Sequence, residues 1–123
     1  MRRKVWTALT FFGFLSGLLP AVPAFAGFGA IAWDPETGKS GWVWNQPTKE
    51  MAAAEAIRQC GASGCELVVK PTSVCAALAT TADRKFAGAA ARKTRDAAWV
   101  AARANCEKGK AGECILRVSD CNK

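Results

Sequence analysis

The sequence predicts an α+β fold in which two tandem ββαβ repeats are fused into one small, disulfide-stapled domain. The pattern T-[KR]-[ED]-x-A-x-x-x-A-x-x-x-C runs from Thr48 to Cys60 and recurs without a gap, 46 residues later, from Thr94 to Cys106. Strand-like stretches surround both copies in the same order, and each copy ends in a cysteine. Self-similarity of this kind indicates one duplicated unit rather than two segments with different roles.

The first 26 residues have the features of a cleaved signal peptide. A cationic start, Arg2-Arg3-Lys4, precedes an apolar run over 5–19, and Ala24-Phe25-Ala26 supplies the small residues that flank a cleavage point. The apolar run is short for a helix that spans a bilayer, although a retained anchor is the competing interpretation. We therefore predict a secreted or periplasmic protein, a single mature domain over 27–123, and no membrane span after signal removal.

Repeat one, about 28–74, opens as a hairpin. The stretch 27–33 (G-F-G-A-I-A-W) is apolar and punctuated by glycine, which is typical of a buried strand. Turn chemistry follows at 34–38 (D-P-E-T-G), because proline presets φ and glycine tolerates positive φ. The stretch 41–45 (G-W-V-W-N) is rich in aromatic and β-branched residues, which predicts the returning strand.

A helix and a third strand complete the repeat. Thr48 is a suitable N-cap, Glu50 suits the positive first turn, and small residues recur at helical spacing as far as Cys60. Gly61 ends the helix, and 65–70 (C-E-L-V-V-K) has a strand pattern. Repeat two, about 75–121, keeps this order, with strands at 76–79 and 85–89, a helix at 94–106 and a last strand at 114–118. We expect the strands of both repeats to form one sheet under two helices.

The six cysteines predict three disulfides, because an even count in a small exported chain is typical of a disulfide framework. Six cysteines allow 15 pairings. Repeat symmetry and local closure of each helix–strand corner favour three bridges: Cys60–Cys65, Cys106–Cys114 and Cys75–Cys121. We expect the third bridge to tie the two halves together. A metal site is the competing interpretation, but the chain lacks histidine and any C-x-x-C pair, so we predict no metal and no cofactor.

Composition disfavours most catalytic classes and nucleic-acid binding. A chain without histidine cannot form Ser-His or Cys-His nucleophile pairs, and paired cysteines offer no thiolate. Glu50 and Glu55 are too far apart around a helix to act as a carboxylate pair. Without its first three cations the chain has 14 Lys and Arg against 10 Asp and Glu, which is only mildly basic. We predict a protein that is not an enzyme, with a glycan-acting enzyme as the less favoured alternative.

A basic cluster precedes the second predicted helix. Arg92, Lys93 and Arg95 flank Thr94, the proposed N-cap, although cations at a helix N-terminus oppose the macrodipole. Free N–H groups beside three cations are suited to an anion. We therefore predict an anion-binding site at Arg92, Lys93, Thr94 and Arg95, against the competing interpretation of a solvated basic turn.

Three tryptophans form a second candidate feature. Trp42 and Trp44 alternate along one strand and so project from one face, with Trp33 on the partner strand. Exposed aromatic faces anchor protein interfaces. The competing interpretation, which the small alanine-rich helices favour, is that these rings fill the core.

The ordered set of motifs resembles a known family. The signal peptide, G-A-I-A-W, G-W-V-W, T-K-E-x-A-A-A-E-A and C-A-A-L-A, together with six cysteines, are similar to those of the domain of unknown function 4189 family of small exported bacterial proteins. The resemblance covers about Phe28 to Cys121. It implies two ββαβ repeats held by disulfides, and it implies no agreed activity and no catalytic residues. The second hairpin departs from the family pattern, because 86–91 (F-A-G-A-A-A) is mostly alanine.

These observations favour an exported, non-enzymatic binding module. The expected partner is a protein, as for an inhibitor, an immunity protein or a host-directed factor. The alternative partner is an anionic polymer of the cell envelope, bound through the basic helix N-terminus.

Overall fold

The computed structural model describes residues 27–109 and 112–123, and the predicted signal peptide lies outside these residues. The described chain forms eight elements: β1 Phe28–Trp33, β2 Ser40–Gln46, α1 Lys49–Cys60, β3 Glu66–Thr72, β4 Cys75–Thr80, β5 Ala87–Arg92, α2 Arg95–Lys108 and β6 Ile115–Cys121. This order is ββαβ twice, as predicted. Neither α1 nor α2 is long and apolar enough to cross a membrane.

Both helices begin at the predicted N-caps. The Thr48 hydroxyl accepts a hydrogen bond from the Met51 N–H at 3.1 Å, and the Thr94 hydroxyl accepts one from the Ala97 N–H at 3.1 Å. Each threonine thus satisfies one of the N–H groups that a helix start leaves unpaired. Gly61 ends α1 in the left-handed region, with φ of 72°, a conformation that glycine adopts without strain.

The six strands form two sheets, so the expected single sheet is wrong. The first sheet has the order β2-β1-β3 and the second has the order β5-β4-β6, with every pairing antiparallel. The sheets pack face to face through an apolar cluster that includes Ile31 and Val69 from the first sheet and Ala76 and Leu78 from the second. The helices cover the outer faces, which gives the layer order α1, first sheet, second sheet, α2.

Both central strands are buried on their two faces. In β1, Ala30 and Ala32 contact α1, whereas Ile31 points to the second sheet. Every residue of β4 is buried. A strand covered on both faces carries apolar residues without polar alternation. In both central strands, alanines face the helix, whereas Ile31 and Leu78 face the other sheet. Each helix therefore packs closer to its sheet than the two sheets pack to each other.

Two equivalent glycines let each helix approach its sheet. A Cβ added to Gly41 would clash with the backbone of Ala56 and Cys60 in α1. A Cβ added to Gly88 would clash with the backbone of Ala102 and Cys106 in α2. Glycine is therefore required at position 41 on β2, which contacts the last turns of α1, and at position 88 on β5, which contacts the last turns of α2.

The three predicted disulfides are all present. Cys60–Cys65 and Cys106–Cys114 each join a helix end to the following strand region. The third bridge, Cys75–Cys121, joins register partners on β4 and β6. It therefore joins two neighbouring strands of the second sheet, and the expectation that it ties the two halves together is wrong, because β4 and β6 both belong to repeat two.

The halves are joined by the core between the sheets and by Asn122. The Asn122 Oδ1 accepts from the Asn45 N–H at 2.9 Å, and its Nδ2 donates to the carbonyl oxygens of Thr72 and Val74 at 3.0 and 2.8 Å. The Lys123 N–H in turn donates to Asn45 Oδ1 at 2.7 Å. The C-terminal end of repeat two is thereby hydrogen bonded to both the hairpin and the last strand of repeat one.

Candidate functional site

The candidate features of this fold lie on its surface. Residues 27–109 and 112–123 form no pocket, and within them no three metal-binding side chains come together.

The basic cluster lies where β5 passes into α2, and two of its three cations have partners. The Arg95 Nη2 donates to the Asp120 carboxylate at 2.9 Å, and the Arg92 Nη1 donates to the carbonyl oxygen of Ala91 at 2.7 Å. The Thr94 hydroxyl is occupied as the N-cap. Lys93 is exposed beside them. Binding of an anion at this cluster stays a prediction.

An anionic side chain adjoins this cluster. The backbone N–H of Cys121, together with the Arg95 guanidinium, lowers the pKa of Asp120, so that this carboxylate is ionised at neutral pH. Asp120 therefore cancels part of the positive charge at the start of α2. The sequence did not reveal this neutralisation, because Asp120 is 25 residues from Arg95.

Two of the three tryptophans of the first sheet, Trp42 and Trp44, pack on the face that is turned toward the second sheet. Trp42 pairs with Ile31 in the register and shares its face, and both Trp42 and Trp44 pack, half-buried, against the core between the sheets. Trp33 is half-buried, and its Nε1 is buried without a hydrogen-bond partner among the described residues. Core packing thus accounts for part of the Trp42 and Trp44 rings, and a partner-binding role for the three tryptophans stays a prediction.

The two repeats differ most at this aromatic edge. Gly41 corresponds to Gly88, which makes Trp42 and Trp44 the counterparts of Ala89 and Ala91. The alanines pack against the same inter-sheet core as the tryptophans. Since β5 is built with alanine at these steps, the strand geometry does not itself demand tryptophan on β2.

Other polar residues take structural roles that sequence reasoning missed. The Arg117 Nε donates to the buried Thr80 hydroxyl at 2.8 Å, and its Nη2 donates to the Thr81 carbonyl oxygen at 3.3 Å. No local pattern could have indicated this contact, because the partners are 36 and 37 residues away. Asp34, only 2% exposed, could have been found, since Asp at the start of a turn commonly accepts from the backbone ahead of it.

Local hydrogen bonds lower the pKa values of two carboxyl groups, those of Asp34 and Glu55. The Glu36 N–H and the Thr37 hydroxyl donate to Asp34 at 2.9 and 2.8 Å, and they lower the pKa of Asp34. On α1, the Arg58 guanidinium lowers the pKa of Glu55 to about 2. Hydrogen bonds to a carboxylate favour its charged form over its protonated form.

We expect the protein to lose stability in acid. Asp34, Glu55 and Asp120 have lower pKa values folded than unfolded, so the unfolded chain takes up protons first. Their contribution is complete above about pH 5 and is lost progressively as the pH falls toward about 2. Urea unfolding midpoints at pH 7, 4 and 3 measure this, and Glu55→Gln should remove part of the slope. A midpoint that stays constant over this range would contradict the assignment.

Comparison with known proteins agrees with the repeat architecture. A model of the domain of unknown function DUF4189 matches residues 28–121. The NMR structure of Rv1813c from Mycobacterium tuberculosis is similar at 29% identity and a TM-score of 0.59, over 82% of this chain and 79% of that one. No curated protein matches the sequence. With almost the whole described region matched in order, the chain belongs to the DUF4189 family.

Proposed function

We propose that this protein is an exported, non-enzymatic binding module that recognises a protein partner at the edge of the sandwich where Trp42 and Trp44 lie. The observation that carries the proposal is the difference between the repeats, in which β2 has two half-buried tryptophans and β5 has alanines. Tryptophan is strongly enriched among the residues that dominate binding energy at protein interfaces.

The scaffold supports this proposal. Three disulfides stabilise 27–123 and indicate an oxidising compartment outside the cytoplasm, for which secretion or the periplasm is our proposal. A surface that is already rigid loses little conformational entropy on binding. The paired cysteines leave no free thiol among the described residues.

A direct test is capture of partners from envelope and culture extracts on the immobilised, oxidised protein. We expect a discrete protein to be retained at high salt, because an apolar contact is not screened by ions. A Trp42→Ala/Trp44→Ala variant should bind it at least about tenfold more weakly. Trp99→Ala is the matched control, since Trp99 is also half-buried but lies on α2 and packs against the core between that helix and the second sheet. Equal losses in both variants would contradict the proposed surface.

The alternative partner is an anionic envelope polymer at the basic cluster, which the three cations flanking Thr94, namely Arg92, Lys93 and Arg95, support. In the same experiment this partner would be captured only at low salt. It would be lost in an Arg92→Ala/Lys93→Ala/Arg95→Ala variant and kept in the tryptophan variant. Salt dependence and the two variants therefore separate the candidates.

A further inference from the structure

The two-sheet architecture creates four edge strands, namely β2 and β3 in the first sheet and β5 and β6 in the second. An edge strand presents a row of backbone N–H and C=O groups that can pair with another chain. Proteins usually block such edges with proline, charge, bulges or covering side chains. The four edges of this protein differ in how well they are blocked.

Side chains cover the edge of β5. The Asn105 Nδ2 on α2 donates to the carbonyl oxygen of Ala89 at 3.1 Å, and the Arg92 Nη1 donates to that of Ala91 at 2.7 Å. Both carbonyl groups therefore point away from β4, and both are already occupied. A further strand could not pair with β5 without displacing these two donors.

Two other edges are interrupted. β3 contains Pro71, which lacks an N–H, and its register against β1 shifts next to Ile31. In β6 the register shifts between Leu78 and Ala79 on β4, which leaves Arg117 as the extra residue. Bulges and charges of this kind in the middle of a strand prevent regular pairing with another strand. β2 also has a register shift against β1, between Phe28 and Ala30, but its extra residue lies near Asn45 (φ of 58°) at the end of the strand, so that 40–44 precede the irregularity.

Within residues 27–109 and 112–123, the edge of β2 lacks the hydrogen bond from its helix that β5 has. Trp42 occupies the position of Ala89, so its carbonyl group also points outward. The counterpart of Asn105 on α1 is Gln59, whose Nε2 donates to Glu55 at 3.1 Å and not to the strand. The Gln46 Nε2 donates to the Trp44 carbonyl oxygen at 3.2 Å, as the Arg92 Nη1 does to that of Ala91 on β5. The two edges therefore differ at the carbonyl group of Trp42, which has no side-chain donor among the described residues, whereas that of Ala89 has Asn105.

The chemistry of β2 permits pairing with itself. Residues Ser40–Gln46 contain no charged side chain and no proline, so two copies can approach without like-charge repulsion. Alternation places the N–H and C=O groups of Ser40, Trp42 and Trp44 on the outer side. In an antiparallel pair related by a two-fold axis, these outward groups of one copy meet those of the other.

We propose that the β2 edge binds β2 of a second copy of this protein in antiparallel register, which extends the first sheet from three strands to six. The inference goes beyond the proposed function, because it depends on backbone groups and on the missing cover of β2, not on recognition by tryptophan side chains. A contact of one short strand is small, so the dimer forms reversibly and at high protein concentration.

Sedimentation analysis and amide exchange by NMR test the proposal on oxidised protein recovered after export of the full-length chain. We expect a concentration-dependent dimer, and amides of Ser40, Trp42 and Trp44 that become protected as the concentration rises. The Val43 amide faces β1 and should be protected at every concentration. A protein that remains monomeric at millimolar concentration, or outward amides whose exchange is independent of concentration, would overturn the proposal.

Two variants locate the interface. Ser40→Pro removes an outward N–H and should weaken the dimer by at least about tenfold. Ala87→Pro is the matched control, because Ala87 holds the same step on β5, whose edge is already covered. Gln59→Asn copies Asn105 onto α1 and should weaken the dimer by about three- to tenfold, the effect of one hydrogen bond, without a risk to folding.

The outcomes separate this proposal from the proposed function. A dimer that Ala87→Pro weakens as much as Ser40→Pro, or that Gln59→Asn leaves unchanged, would overturn pairing through β2. Partner capture that still depends on Trp42 and Trp44 in such a case would leave the proposed function standing. Conversely, a β2 dimer with no captured partner would support only the pairing.

Discussion

Removal of the Cys75–Cys121 bridge is expected to lower the free energy of unfolding by about 4 kcal/mol, roughly twice the loss from removing Cys60–Cys65. The first bridge closes a sequence separation of 46 residues and the second a separation of 5. A longer closed loop restricts the unfolded chain more, so its removal restores more conformational entropy to the unfolded state.

Urea unfolding of Cys75→Ala/Cys121→Ala, measured beside Cys60→Ala/Cys65→Ala, checks this expectation. The two double variants each remove two sulfur atoms, and each pair includes one buried and one half-buried cysteine, which makes them matched controls. Comparable losses in the two variants would show that loop length does not govern the contribution of these bridges.

Gly41→Ala and Gly88→Ala are each expected to lower the free energy of unfolding by about 3 kcal/mol, at the upper end for overpacking. In both cases the new methyl group would meet helix backbone, not the end of a flexible side chain. Relief therefore requires the whole helix to move away from its sheet. Since the two sites lie in different layers, the losses should add in the double variant.

Thermal and urea unfolding of the three variants measure these losses, and Gly109→Ala is the control. Gly109 ends α2 with φ of −74°, and its nearest contact for an added Cβ is 3.4 Å away. We expect this substitution to be close to neutral. A loss from Gly109→Ala as large as that from Gly88→Ala would contradict the close-packing explanation.

Repeat order, helix starts and disulfide pairing could be predicted because they depend on local signals. Thr48 and Thr94 bond to N–H groups three residues ahead, which any sequence window contains. The corner bridges span 5 and 8 residues, so local closure was enough to favour them among the alternatives. The internal repeat strengthened these predictions, because each helix start and each corner bridge had to fit both repeats.

The sheet arrangement could not be predicted in the same way. The residues of β1 and β4 are apolar on both faces, and such a strand is equally compatible with one broad sheet or with two stacked sheets. The same ambiguity led to the wrong role for Cys75–Cys121. The sequence puts Cys75 at the start of repeat two, but only the pairing of β4 with β6 shows that this bridge joins neighbouring strands of one sheet.

The features of the candidate site also fall into those that local sequence predicts and those that depend on tertiary contacts. The sequence by itself determined the duplicated elements, the covalent framework and the contrast between Trp42 and Ala89, because these depend on residue type and spacing. The tertiary structure decided that Arg95 pairs with Asp120. It also decided that, among the described residues, the outer edge of β2 lacks the side-chain donor that Asn105 gives β5, next to the inter-sheet core against which Trp42 and Trp44 pack. Those features depend on groups far apart in sequence, and only folding brings them within a few ångströms of one another.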